Sequence, residues 1–285
     1  MPTGTLCIWR LPLPNMMIAY RPADYGASMK RSLALLYGVA SYVVFFATFL
    51  YAIGFLGNFG VARSMDSTPT SSLGAALLIN LGLLALFALQ HSVMARPAFK
   101  RWWTRIVPTV IERSTYVLFS SLALILLFWL WQPIGASIWN VDSVLGRALL
   151  YAGFAAGWVL LLVSTFLINH FDLFGLRQTW LYFRGRPYTD IPFRTPALYK
   201  LVRHPLYVGW LLIFWCTPTM TAAHLLFAIM TTAYILIAIQ FEEHDLIRAF
   251  PEYATYRQRV PMLIPFLGKR TRIEEGVAST LRGQR

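Results

Sequence analysis

Apolar residues arrive along this chain in runs longer than a soluble core requires. A membrane-crossing helix needs about 20 mostly apolar residues. Four runs answer that description: Leu33–Leu56, Leu73–Ala95, Tyr116–Trp131 (short, but extendable through Pro133 and Ile134) and Leu145–Ile168. A fifth apolar region, Leu206–Phe241, is too long for one span and is broken by Thr217-Pro218-Thr219. Proline removes a helical hydrogen bond and clashes with the preceding turn. The region therefore predicts a helical hairpin, with a short arm from Leu206 to Cys216 and a long arm from Ala222 to Leu246. The arms are unequal, ~20 Å from Pro205 to Pro218 against ~36 Å from Thr219 to Glu243. Either the turn lies nearer Ala223, or the short arm starts within the inner leaflet.

The expected fold is an all-α integral membrane protein of four full transmembrane helices plus a C-terminal helical hairpin, five to six membrane segments in total. Its expected divisions are an N-terminal segment (1–32), a helical bundle (33–168), a cofactor-binding region (169–267) that contains the hairpin, and a flexible tail (268–285). Charge orients this arrangement. Of the 25 Lys and Arg residues, 23 fall in the N-terminal segment, the 96–113 loop, the 171–205 loop and the tail after Phe241. Only Arg63 and Arg147 fall on the opposite side. The positive-inside rule then places both termini in the cytoplasm, and the split works only if the hairpin crosses and returns.

Composition agrees with a lipid-embedded chain. Over 285 residues, 57% are hydrophobic and 13% charged, against roughly 25% charged in soluble domains, and the mean hydropathy is +0.55. The net charge of +13 is thus a sign of topology, not of nucleic-acid binding. Two cysteines, Cys7 and Cys216, do not make a disulfide scaffold. The halves do not mirror each other as many transporter halves do, and the spans lack polar residues through the midplane.

Polar residues collect instead at one end of the spans. These are Gln90-His91, then Asn169-His170-Phe171-Asp172 leading to Gln178, then Arg203-His204-Pro205-Leu206-Tyr207-Val208-Gly209, and Glu242-Glu243-His244-Asp245. Their convergence suggests a pocket open to the cytoplasm or the inner leaflet. Pro205 suits the first turn of a helix, so Arg203 and His204 sit beside free backbone N–H groups and need a bridging anion, either a ligand carboxylate or a protein carboxylate. Gly209, on the same face, permits close approach of a flat group. Adjacent helical residues point about 100° apart. One of Glu242 and Glu243 can therefore face the pocket and receive a ligand ammonium, while the other pairs with Arg203 or Arg257. Such a site suits a zwitterionic amino-acid group. Asn80 is expected to bond between helices and His224 to lie at the interface; no His spacing supports a metal site.

The segment RHPxYxG at Arg203–Gly209, followed by Glu242-Glu243, resembles the signature of the isoprenylcysteine carboxyl methyltransferase superfamily. Residues 169–178, Tyr182–Tyr188 and Gln90-His91-Ser92 are most similar to the bacterial methanethiol S-methyltransferases within it. This resemblance implies a bacterial inner-membrane enzyme with its site toward the cytoplasm. It would use S-adenosylmethionine to convert methanethiol to dimethyl sulfide, leaving S-adenosylhomocysteine. It further implies that His204, Tyr207, Gly209 and Glu242 or Glu243 hold the methionyl part, that Tyr253, Tyr256 and Pro261 cover the cofactor, and that His91 and Gln178 face the thiol. Alkyl thiols are weaker acids than cysteine, whose pKa is about 8.5, so a base should help. The candidates are His170 oriented by Asp172, or His204, with Arg203 stabilising the thiolate. The competing readings are a larger lipophilic acceptor (a prenylated thiol or carboxylate, or a lipid), transport, or a subunit of a membrane complex.

Overall fold

The computed structural model describes residues 25–265. The expected tail, and the N-terminal segment up to Asp24, lie outside the described residues. In chain order the helices are α1 (Tyr25–Gly57), α2 (Leu73–Ala95), α3 (Pro97–Trp103), α4 (Thr109–Leu130), α5 (Val144–Ile168), α6 (His170–Leu173), α7 (Leu176–Phe183), α8 (Pro205–Trp215), α9 (Ala222–Ala249) and α10 (Glu252–Arg259). A 3₁₀ turn forms at Ala197–Lys200, and two short strands form, β1 (Ser137–Asn140) and β2 (Thr219–Thr221). Among the described residues five helices, α1, α2, α4, α5 and α9, are long and apolar enough to cross a membrane. Their outward faces carry large apolar side chains such as Leu78, Leu86, Leu149, Val159 and Ile237. Water would make those faces sticky, whereas lipid solvates them. The fold is that of an integral membrane protein.

The fold is mostly helical, as expected, with one short ribbon in which β1 and β2 pair antiparallel, Trp139 opposite Met220 and Asn140 opposite Thr219. One expectation is corrected: the third span is not Tyr116–Trp131 extended past Pro133. It starts seven residues earlier, at Thr109, and stops at Leu130, where Trp131 turns extended at φ −52°, ψ 132°. Its first turns carry the buried polar residues Glu112, Arg113, Ser114 and Thr115, which end a hydropathy run without ending the helix. His224, in the first turn of α9, is fully buried.

The hairpin arms are unequal, as expected. Helix α8 has 11 residues and rises only ~16 Å. Cys216–Pro218 links it without helix to β2, and α9 starts at Ala222. Helices that start at this end carry hydroxyl caps: Ser72 accepts from Ala75 N, Ser143 from Gly146 N and Thr221 from His224 N. Asn80, fully buried in α2, clasps the end of α4 by donating to Gln132 O at 2.7 Å and accepting from Gln132 N at 2.9 Å.

Helices α5 and α8 pack through glycine. A Cβ on Gly157 would lie 2.8 Å from Gly209 O, and one on Gly209 would lie 2.9 Å from both Gly157 O and Leu161 N. Gly153 likewise meets Cys216 Sγ. The close approach that Gly209 permits is therefore that of α5, and Gly153 and Gly157 are turned toward this chain's own hairpin.

Candidate active site

Glu243 organises the basic end of the molecule. Its Oε1 accepts from Arg203 Nε at 2.6 Å and from the Tyr253 hydroxyl at 3.3 Å, and lies 3.0 Å from His204 Nε2. Its Oε2 lies 2.9 Å from Arg257 Nε. The anion required beside the α8 N-terminus is thus a protein carboxylate. Arg203 also binds the chain after α10. Its Nη1 donates to Arg257 O at 2.9 Å and Val260 O at 2.5 Å, and its backbone N donates to Pro261 O at 2.9 Å. Tyr256 donates to Tyr199 O at 2.5 Å. Burial, reinforced by Glu243, pushes the Tyr253 phenol far above its usual range, so it remains a donor. Arg203, His204, Glu243, Tyr253, Tyr256 and Pro261 therefore form one clasp that fastens the hairpin to α10 and the residues just after it.

Glu242, one residue on, points elsewhere. It accepts from the Tyr207 hydroxyl at 3.0 Å through Oε2, and its Oε1 is buried without a hydrogen-bond partner among the described residues. It lines a cavity of about 270 Å³ between α1, α2, α4, α5, α6, α8 and α9. The polar wall at that end includes Arg96, Arg113, His91, Tyr116 and Tyr207. The hydroxyl of Tyr116 lies 2.9 Å from His91 Nε2, and Ser120 Oγ lies 3.2 Å from His91 Nδ1. Arg96 donates to Asp245 at 2.9 Å, and Ser92 bonds Tyr234 at 3.0 Å. The rest of the lining is almost entirely apolar.

His170 and Asp172 are not bonded to each other. His170 Nε2 lies 2.8 Å from the Tyr42 hydroxyl and Nδ1 2.9 Å from Thr165 Oγ1. Because the Thr165 hydroxyl donates to Leu162 O at 2.7 Å, it accepts from Nδ1, and Nε2 accepts from Tyr42. Asp172 instead accepts from Arg177 at 3.0 Å, Tyr188 at 2.9 Å and Gln178 at 3.2 Å. Of the residues singled out by sequence, His91, Tyr207 and Glu242 line the cavity; His170, Asp172, Gln178, Gly209 and the clasp do not. Sequence patterning does not single out Arg96, Arg113, Tyr116 and Tyr234. The available signal is an arginine inside a span, which by itself marks a functional position, and only the extension of α4 back to Thr109 puts Arg113 there.

Fold and cavity together define an integral membrane protein with a cavity that is polar at one end. Over 244 residues the chain is 61% identical to the methanethiol S-methyltransferase of Crocosphaera subtropica, covering 85% of this chain and 96% of that one. It is 54% identical to the methanethiol S-methyltransferase of Mycobacterium tuberculosis, over 85% of this chain and all of that protein. The chain belongs to the methanethiol S-methyltransferase family. A more distant likeness, 29% over 229 residues, is to Nurim of Bos taurus, covering 73% of this chain and 87% of that one. No family model and no solved structure matches the chain.

Proposed function

We propose that the protein methylates methanethiol to dimethyl sulfide with S-adenosylmethionine as donor, at the polar end of the cavity and from the cytoplasmic face of a bacterial inner membrane. The observation that carries this reading is the unpaired, buried Oε1 of Glu242, set in a cavity wall that also holds two guanidinium groups. An unmade bond on a buried carboxylate costs free energy, so it marks a place for a ligand cation. A zwitterionic amino-acid group fits, with its ammonium on Glu242 and its carboxylate toward Arg96. Tyr207 holds Glu242 in place, and the aromatic faces of Tyr207 and Trp210 suit a sulfonium. When bound, S-adenosylmethionine supplies an electrophilic methyl group.

The chain's own residues supply the rest. The thiol enters as a neutral, lipid-soluble molecule through an apolar lining. Its proton goes to the His91–Tyr116 pair at Nε2 of His91, a ring held by Ser120. Arg113 stabilises the resulting thiolate. The apolar walls keep out water, which favours a reaction in which opposite charges disappear, and holding both reactants in one cavity supplies orientation. His204, Arg203, Glu243 and the tail after α10 close the site from the basic side, while His170 and Asp172 hold α6 and α7 in place.

The test is headspace detection of dimethyl sulfide from purified protein given methanethiol and S-adenosylmethionine, with calorimetry of S-adenosylhomocysteine binding alongside. Product from the native chain, with donor binding lost in Glu242→Gln, is the expected result. Well-folded protein that neither binds the nucleoside nor releases product overturns the reading.

A further inference from the structure

The cavity is far longer than a one-carbon thiol requires. Along α4 its lining runs from Arg113 to Phe128, and along α9 from Glu242 to Phe227. Either stretch spans ~22 Å at ~1.5 Å per residue. That exceeds the depth of one leaflet, ~15 Å if the hydrocarbon core is ~30 Å. The polar groups stay at one end. Beyond them the walls are Ala52, Leu124, Leu127, Phe128, Phe214 and Phe227. Two hydroxyls that line this stretch turn back on their own helices, Ser121 to Val117 O at 2.8 Å and Thr231 to Phe227 O at 2.6 Å. They therefore offer a ligand little. An apolar lining of this kind takes apolar guests.

We infer that the deep arm receives the alkyl chain of a linear long-chain thiol, so that the acceptor class extends from methanethiol to membrane-dissolved n-alkanethiols. The inference rests on the proposed methyl transfer, since the thiol head must lie at the polar end with its chain running toward Phe227. The reaction balances as it does for methanethiol. A sulfur lone pair of the acceptor forms the new S–CH₃ bond, and the donor's S–CH₃ bond breaks with its electron pair returning to the donor sulfur. The thiol proton goes to the His91–Tyr116 pair. The product is an alkyl methyl sulfide, as neutral and lipid-soluble as the acceptor.

The experiment supplies n-dodecanethiol or methanethiol, with S-adenosylmethionine, to the full chain in nanodiscs, and measures each methyl sulfide by mass spectrometry. Two variants, Ala52→Phe and Leu124→Trp, fill the arm away from the polar end. The expected result is turnover of n-dodecanethiol by the native chain, cut about tenfold or more in either variant by overpacking. Methanethiol turnover in the same variants stays near the native rate and reports that they fold. Methylation of methanethiol alone, or equal loss of both acceptors in the filled variants, overturns the inference and leaves the proposed function standing. If neither acceptor is methylated by the native chain, the proposed function itself fails and the inference goes with it.

Discussion

Glu242 and Glu243 are neighbours in sequence, yet a helix turns about 100° between them and gives each a separate environment. Glu243 is the acceptor shared by Arg203, His204, Tyr253 and Arg257. Glu243→Ala leaves the buried Arg203 and His204 without their anion, which costs about 3–5 kcal/mol. Thermal unfolding in detergent should show a large fall in midpoint. Glu242 accepts from Tyr207, has His204 Nδ1 at 4.0 Å, and keeps one oxygen without a hydrogen-bond partner among the described residues. Glu242→Gln keeps shape and the Tyr207 bond, so the midpoint should hardly move, while affinity for S-adenosylhomocysteine should fall at least about tenfold, since a buried charge partner is worth about 2–5 kcal/mol. His170 supplies a pH dependence. Burial lowers its pKa below the usual 6.5, and its bonds to Thr165 and Tyr42 suit the neutral ring. Below pH ~6.5 the unfolded chain takes up this proton before the folded chain does, so the contribution of His170 is complete above that pH and lost as pH falls through it. The difference in unfolding midpoint between native chain and His170→Asn should therefore shrink from about pH 8 to about pH 5. The split between the two glutamates is legible from sequence, because helical geometry forces it. Arg113 is not, because the polar residues Glu112–Thr115 look like the end of a loop until the helix around them is seen.

Secondary-structure elements show the same division between what composition encodes and what only packing decides. Spans α2 and α5 match their apolar runs to within a residue, since lipid demands long helices with satisfied backbones. The β1–β2 ribbon has no such signal. Three residues of one segment pair with another segment some 80 positions away in the chain, and nothing local announces it. Gly209 is visible in sequence, but the neighbour it admits is not. With a Cβ 2.8–2.9 Å from facing backbone atoms, Gly157→Ala or Gly209→Ala must push α5 and α8 apart, at about 1–3 kcal/mol. Because α8 carries Tyr207, activity should fall with stability. Gly82→Ala, on α2 with nothing within 4 Å of the added methyl, should instead be neutral or gain up to about 1 kcal/mol of helix propensity. Denaturation curves for the three variants side by side test the contrast: a comparable loss at Gly82 would mean that the penalty comes from the helix and not from the crossing.

At the scale of the whole molecule, one carboxylate ties each end. Glu243 fastens the hairpin to α10 at the basic end. Asp66 fastens the α1–α2 loop to the hairpin at the other, accepting from Asn58 Nδ2 at 2.7 Å and from the Thr221 hydroxyl, and lying 3.3 Å from His224 Nδ1. His224 also reaches back to Phe214 O at 3.1 Å, so the same cluster pins the last turn of α8. Asp66→Ala strands His224, which has no solvent contact, and should cost about 1–3 kcal/mol for the buried bonds left unmade. From His224 to Glu243 the α9 helix rises ~28 Å, well past the ~10 Å beyond which separate substitutions add. Asp66→Ala should therefore lower the unfolding midpoint without changing donor affinity, and the double variant Asp66→Ala/Glu243→Ala should lose the sum of the two single losses to within about 0.5 kcal/mol. If the double variant departs from that sum by more than about 1 kcal/mol, then α8 and α9 transmit strain from one end to the other, and the polar end of the cavity is set in part from the opposite side of the membrane.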